Sequence, residues 1–345
     1  NSNVTNKLDG VLWTIPAKVY ARPLVIAEGM TINKRNILKE LFIHSYEKTS
    51  QPNMPGEYSY KKEILSIFLR GFDEQNPGLY GIRFNKDTVV NIKRSDGISV
   101  DLIKLEPLAI GGMFPSHMED RLLVNWPEVP KSLINILLSV EDQNFFDHHG
   151  ISFKSIIRAF YQNVWALDIE QGGSTVTQQL AKSLFFSSEQ TITRKIKEAI
   201  AALLIEFHYS KEEILLAYIN DVYLSQSGRR AIHGFGLGAE HFFGTSLKNL
   251  EIHQLALLVG MLKGPSLYNP RRNPERALSR RNLVLNMLEK KSLITPEVSK
   301  EMQQMPIKII NPSYRSETKY PAFHDLVRVE LKKNFNERDL RTKGL

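Results

Sequence analysis

Three stretches of this chain gather side chains suited to acid–base and anion chemistry. The first is Glu141-Asp142, followed closely by Phe145, His148 and Gly150. The carboxylates end an apolar stripe built from Leu133, Ile134, Leu137, Leu138 and Val140. A carboxyl buried at such an end has its pKa raised, which suits a general acid or base at neutral pH. A helix end that merely exposes its charges is the plainer reading of these residues alone. His148-His149 suggests a metal site, but adjacent side chains point apart in regular structure, so a packed or solvated histidine fits better.

The second stretch runs from Gly172-Gly173 through Ser174, Thr175, Val176, Thr177, Gln178 and Gln179 to Lys182. A helix start rich in hydroxyls, amides and a lysine suits a phosphate or the hydroxyls of a sugar. A Ser/Thr cap after a flexible loop explains part of it. Two consecutive Gln beside two Thr would be poor packing for an inner helix, which favours a functional reading. The Gly-x4-Gly-Lys-Ser/Thr spacing of a P-loop is absent. The third stretch is Arg194-Lys195 with Glu198, at i, i+4 and i, i+3 on one side of a helix. A surface ion-pair ladder would look the same. However, Ala199 to Ile205 is apolar nearly all round, which predicts a central helix and a buried Glu198. Two separated carboxylates serve glycosidic chemistry. The added cations fit a phosphate leaving group, so glycosyl transfer is favoured over hydrolysis.

The elements that must position these groups fall into two parts. Residues 13–106 read as a small α/β domain, after a short segment 1–12. Trp13 to Val25 has strand composition, Thr31 is placed to cap a helix through Phe42, and Tyr80–Phe84 with Thr88–Lys93 flank a hairpin turn at Asn85-Lys86-Asp87. Asp96-Gly97 marks a second turn before an alternating stretch from Ile98 to Leu105. Residues 107–129, with Pro107 and Gly111-Gly112, read as a linker. Residues 130–305 then carry helical periodicity, including Ile156 to Trp165, 191–208, 211–219, 250–262 and 275–290. Residues 306–345 read as a further linker. The expected class is therefore α+β, with the mainly helical domain second.

The 345 residues carry a formal net charge of +8, 42% apolar and 24% charged side chains, which excludes a disordered or fibrous chain. Without cysteine, thiolate metal sites and a Cys nucleophile are excluded. The basic excess lies on helices, often beside Glu, and no nucleic-acid-binding motif accompanies it, so no nucleic-acid partner is expected.

In this order the motifs resemble the peptidoglycan glycosyltransferases (glycosyltransferase family 51) of class A penicillin-binding proteins. Two further stretches carry the resemblance: Lys211 to Tyr223, with Ile214, Leu215, Tyr218 and Asn220, and Ala256 to Pro265, with Tyr268-Asn269-Pro270 and Arg280-Arg281. Residues 15–20 and Pro55-Gly56-Glu57-Tyr58 look like the regulatory domain of the 1b-type enzymes. The resemblance implies a lysozyme-like fold and lipid II as substrate. It implies Glu141 as the base that deprotonates the acceptor 4-hydroxyl, and Glu198 as the second essential carboxylate on the pyrophosphate side. Lys182, Arg194 and Lys195 would neutralise the departing pyrophosphate. Gly172, Ser174, Thr175, Thr177, Gln178 and Gln179 would line the donor site; Asp142, Phe145 and His148 would shape the first motif. Tyr218, Asn220 and Tyr223 would complete the substrate contacts. A divalent cation, magnesium or manganese, is compatible with the resemblance, with ligands unassigned; no organic cofactor is implied.

The resemblance further implies the growing glycan strand, the inner-membrane surface, an outer-membrane lipoprotein activator at the small domain, and inhibition by moenomycin. It places the protein on the periplasmic side of the inner membrane, with an N-terminal anchor expected outside this sequence. The apolar stretch Phe153 to Trp165 matches the membrane-facing "jaw". No run in the sequence reaches 18 apolar residues. Ser183 and Ser225 stand where the family usually has Asn and Gly, and Gln143 replaces an often basic residue. Ser-x-x-Lys occurs at Ser45, Ser59 and Ser316, but neither Lys-Thr-Gly nor Ser-Asp-Asn accompanies it, so a transpeptidase is expected to lie outside this sequence. A glycan hydrolase and a non-catalytic cell-wall scaffold are the rival readings.

Overall fold

A computed structural model describes residues 17–71, 77–113, 119–152, 174–186, 191–228, 230–310, 326–327 and 329–336. The fold is mixed α/β, with a β-rich part first and a mostly helical part after it. Contacts divide the chain into two compact units. One holds residues 16–116, 239–246 and 308–345; the other holds residues 1–15, 117–238 and 247–307.

The first unit is built on a five-stranded sheet of order β3-β4-β5-β6-β7. Its strands are β3 (Glu47–Lys48), β4 (Glu57–Lys61), β5 (Ile64–Leu69), β6 (Gly78–Asn85) and β7 (Thr88–Arg94). The pair β3–β4 is parallel and the rest are antiparallel. Period-2 alternation in β5 buries Leu65, Ile67 and Leu69 against Tyr80, Ile82, Phe84, Val89 and Ile92. Helix α1 (Lys34–Ile43) adds Ile37 and Leu41 to that core. Its cap is Asn33, whose side chain accepts from the Arg35 N–H; the expected cap, Thr31, instead bridges to Thr88. The β6–β7 turn matches expectation. The β4–β5 hairpin was not anticipated, because its turn is Lys62-Glu63 in left-handed backbone, without the usual glycine or asparagine.

Two short pairs complete this unit: β1 (Ala17–Tyr20) with β9 (Ala109–Met113), and β2 (Val25–Ala27) with β8 (Leu102–Lys104). At its centre the buried Arg70 donates to Glu106 Oε1 at 2.8 Å and to the His44 carbonyl at 2.8 Å. Tyr46 donates to the other Glu106 oxygen at 2.9 Å, with its ring 4.3 Å from the guanidinium. Both charges are thus hydrogen-bonded, which a buried ion pair requires.

The described residues of the expected linker 107–129 include regular structure. They hold β9 and β10 (Glu119–Arg121), because β1 and β12 (Arg230–His233) offer open edges to them. In the second unit β10, β12 and β11 (Tyr223–Ser227) form a three-stranded sheet. The same unit holds α2 (Lys131–Glu141), α3 (Val176–Phe185), α4 (Ile192–His208), α5 (Lys211–Asp221), α7 (Ile252–Met261), α8 (Pro274–Lys290) and α9 (Pro296–Gln304). Helix α6 (Phe235–Phe243) was not anticipated, nor was α9. α2 packs on α7 and α8, and α3 on α4 and α5. The apolar stretch Ile156 to Trp165 lies outside the described residues.

The helix buried on every side is α7, where Leu255 to Met261 are all buried. α4 departs from expectation. Glu198, Ala202 and Ile205 face inward, yet Ile196, Ile200, Leu203 and Phe207 are exposed along the opposite face, Phe207 at 83%. The run of apolar residues therefore makes two faces, of which the protein's own core covers one.

Candidate active site

α2 delivers Glu141 at its last position. Leu133, Ile136 and Leu137 anchor the helix below it. Glu141 is half-buried, and burial pushes its carboxyl above the usual carboxylate range. The charge of Asp142 pushes the same way. A hydrogen bond from Gln179 Nε2 to Glu141 Oε2 (2.9 Å) and the charge of Arg280 pull against them. Tyr218, buried on α5, donates to Gln179 Oε1 at 2.9 Å. The arrangement is a carboxyl held by one neutral donor.

Asp142, next in sequence, points elsewhere. Its carboxylate accepts from the Val176 N–H at 3.0 Å and lies 3.0 Å from His148 Nε2. It thus caps the first turn of α3 from outside that helix. Thr175 and Gln178 make the local capping box, with bonds of 3.0 and 3.1 Å, and Thr175 Oγ1 donates to the Gly150 carbonyl at 2.6 Å. Gly150 adopts φ +82°, and a Cβ there would sit 2.8 Å from the Ala202 carbonyl. Only glycine lets this loop close onto α4. Thr177 donates to Glu206 at 2.6 Å; Glu206 also takes Lys211 at 2.7 Å. The Lys211 ammonium lies 4.4 Å from the centre of the buried Phe145 ring. Asp142, Phe145, His148, Thr175, Thr177 and Gln178 therefore brace the start of α3 against α4 and α5.

The cationic side of the site is on α4. Glu198 is fully buried and takes Arg194 on one oxygen and Lys195 on the other, the latter at 3.1 Å. Lys195 reaches on to Ser174 Oγ at 2.9 Å. Burial, with the charges of Arg194 and Lys182, holds the Lys195 ammonium below its usual range. An arriving anion would relieve that repulsion. Lys182 is exposed one turn along α3 from Gln178, and Gly172 lies outside the described residues.

The remaining expected residues are spread more widely. The Asn220 amide clamps the Val124 backbone, accepting from its N–H at 2.9 Å and donating to its carbonyl at 3.0 Å. Tyr223 is partly buried beside the His233 ring. Ser225 is buried and accepts from the Asn269 amide at 2.9 Å, a use the larger side chain makes of its place in β11. Ser183 donates to Asp221, whose other oxygen lies 3.1 Å from Arg121. Sequence reasoning assigned no role to Glu206, Asp221, Arg121 or Arg280. Only Arg280 carried a signal, as half of the Arg280-Arg281 pair. Its neighbour is structural: the buried Arg281 donates to the Met305 and Gln303 carbonyls, closing the end of α9.

A half-buried carboxyl held by an anchored amide thus stands apart from a buried carboxylate paired to two cations. The family model described as "Transglycosylase" matches residues 109–289, and "Bifunctional transglycosylase second domain" matches residues 26–105. The chain belongs to the transglycosylase family. Similar relatives of this transglycosylase include penicillin-binding protein 1B of Vibrio cholerae, 38% identical over 354 residues, covering 100% of this chain and 45% of the relative. Those of Haemophilus influenzae and Escherichia coli K12 are each 37% identical. They cover 97% and 98% of this chain, and 43% and 40% of themselves. This transglycosylase chain thus spans less than half the length of these relatives.

The donor set does not fit a divalent cation at Glu198, because both of its oxygens already face cations. Among the described residues no group of three or more His, Asp or Glu is placed to hold a metal.

Proposed function

We propose that this chain polymerises lipid II into β-1,4-linked glycan strands and releases undecaprenyl pyrophosphate. Glu141 takes the proton of the acceptor 4-hydroxyl. The freed oxygen attacks C1 of the donor sugar, and the C1–O bond to pyrophosphate breaks with inversion. Lys182, Arg194 and Lys195 meet the departing charge, and Glu198 holds the last two in place. Gln179 orients the base. The observation that carries this reading is the half-buried Glu141, raised by burial above the usual carboxylate range and held by the Gln179 amide, separate from a buried carboxylate already spent on two cations.

The cation cluster favours transfer over hydrolysis, since water attack on a glycan creates no phosphate leaving group. The exposed apolar face of α4 supports work at a lipid surface, where a polyprenyl substrate resides. Among the described residues no helix is long and apolar enough to cross a membrane. The second-domain match covers residues 26–105 of the first unit; in this reading that unit is regulatory and takes an outer-membrane lipoprotein as its partner. Moenomycin would compete at the cation side.

The test is polymerisation of lipid II in detergent by the intact chain and by Glu141→Gln. Glycan on a gel together with undecaprenyl pyrophosphate release, and at least ~100-fold loss in the variant, is the expected result. New reducing ends without pyrophosphate release would make the protein a hydrolase. Equal activity of both proteins would remove Glu141 as the base.

A further inference from the structure

Tyr218 was expected to touch substrate, yet it is 3% exposed and its hydroxyl is spent on Gln179. Gln179 spends the other end of its amide on Glu141. The three side chains come from α5, α3 and α2 and form one line of hydrogen bonds. An ionised carboxylate only accepts, so it requires the NH2 end of the amide. The carbonyl end must then find a donor away from water, and Tyr218 is that donor. A reversed amide would offer its carbonyl to Glu141 and favour the protonated carboxyl.

We propose that Tyr218 is a positioning residue for Glu141: it orients the Gln179 amide so that the base is held in its proton-accepting form. The inference rests on the reading of Glu141 as the base. Two hydrogen bonds in series polarise each other, so the phenol also strengthens the Gln179 donor. Burial, and the negative charges of Glu141 and Asp221, push the Tyr218 phenol well above its usual range. It therefore stays a donor across any working pH. Among the described residues, the other charges facing Glu141 are Arg280 from α8 and Asp142 beside it. Lys291, just beyond α8, donates to the Ser139 carbonyl of α2. α7 presents only apolar side chains and Gly260 over residues 255–261.

The experiment is the pH profile of lipid II polymerisation in detergent by the full chain. The proteins compared are the parent, Tyr218→Phe, Gln179→Met, the double variant and Glu141→Gln. Tyr218→Phe moves the acid limb up by about half to one pH unit, the scale of one hydrogen bond. On that limb its rate falls roughly 3- to 10-fold, and it recovers on the alkaline plateau. Gln179→Met moves the limb at least as far, and Tyr218→Phe adds nothing once Gln179 is gone. An unmoved limb in Tyr218→Phe overturns the proposal even if the rate drops uniformly, and so do shifts that simply add. Should Tyr218→Phe not fold, 3,5-difluorotyrosine at 218 keeps the ring and strengthens the donor. The limb must then move down, and a fixed limb overturns the proposal. Loss of polymer in Glu141→Gln with no shift in Tyr218→Phe overturns the positioning role alone. Normal polymerisation by Glu141→Gln overturns the reading of the base and this inference with it.

Discussion

The Asp142 carboxylate accepts the Val176 N–H at 3.0 Å, tying the residue beside Glu141 to the first turn of α3. The two residues lie 34 positions apart. One bond therefore sets where α3 starts relative to the end of α2, and so where Gln179 stands relative to Glu141. His148 holds the same carboxylate from the other side.

Asp142→Ala removes an acceptor that two buried donors share. It should destabilise the protein by about 2 kcal/mol or more, from a lost cap and an unpaired His148. Polymerisation should fall as well, because Gln179 loses its register with Glu141. Denaturant unfolding of the parent and the variant measures the first effect. An unchanged midpoint would show that the capping box of Thr175 and Gln178 suffices.

Glu141 also predicts a stability signature. Burial raises its pKa in the folded state, so its stabilising contribution is full below the unfolded value and declines as pH rises through the folded one. Glu141→Gln removes that loss. Its melting temperature should match the parent near pH 4 and exceed it increasingly toward neutrality, then level off. Calorimetry at several pH values checks this. A gap of constant size across that range would contradict the raised pKa.

The outer face of α4 predicts a membrane effect without a folding effect. Ile196, Ile200, Leu203 and Phe207 are all exposed, so Ile200→Ser with Phe207→Ser removes little buried area. Co-sedimentation with anionic vesicles should weaken several-fold while the melting temperature holds within a few degrees. A large drop in melting temperature would mean that the face is covered by the protein itself.

Local signals made much of the protein legible. The 3.6-residue periods of α2, α4 and α8 are written in the chain, because each of these helices buries its own stripe, and α7 is written as a run apolar throughout. The β6–β7 hairpin is written in its turn. The β4–β5 hairpin is not, since Lys62-Glu63 reaches left-handed backbone without the residues that usually signal it. The strands β9 and β10 escaped because a strand of three to five residues is defined by the edge it meets, not by its own pattern.

Local patterns in the sequence placed Glu141 at the end of an apolar helix and Glu198 in reach of Arg194 and Lys195 on another. Spacing within one helix is enough for that. Which polar residues are committed to the fold became visible from contacts between distant segments. Thr177 is committed to Glu206, Asn220 to Val124, and Tyr218 to Gln179, over separations of 29, 96 and 39 positions. The reason is that a buried polar group must find its partner wherever the chain returns to it, and no local pattern records that place.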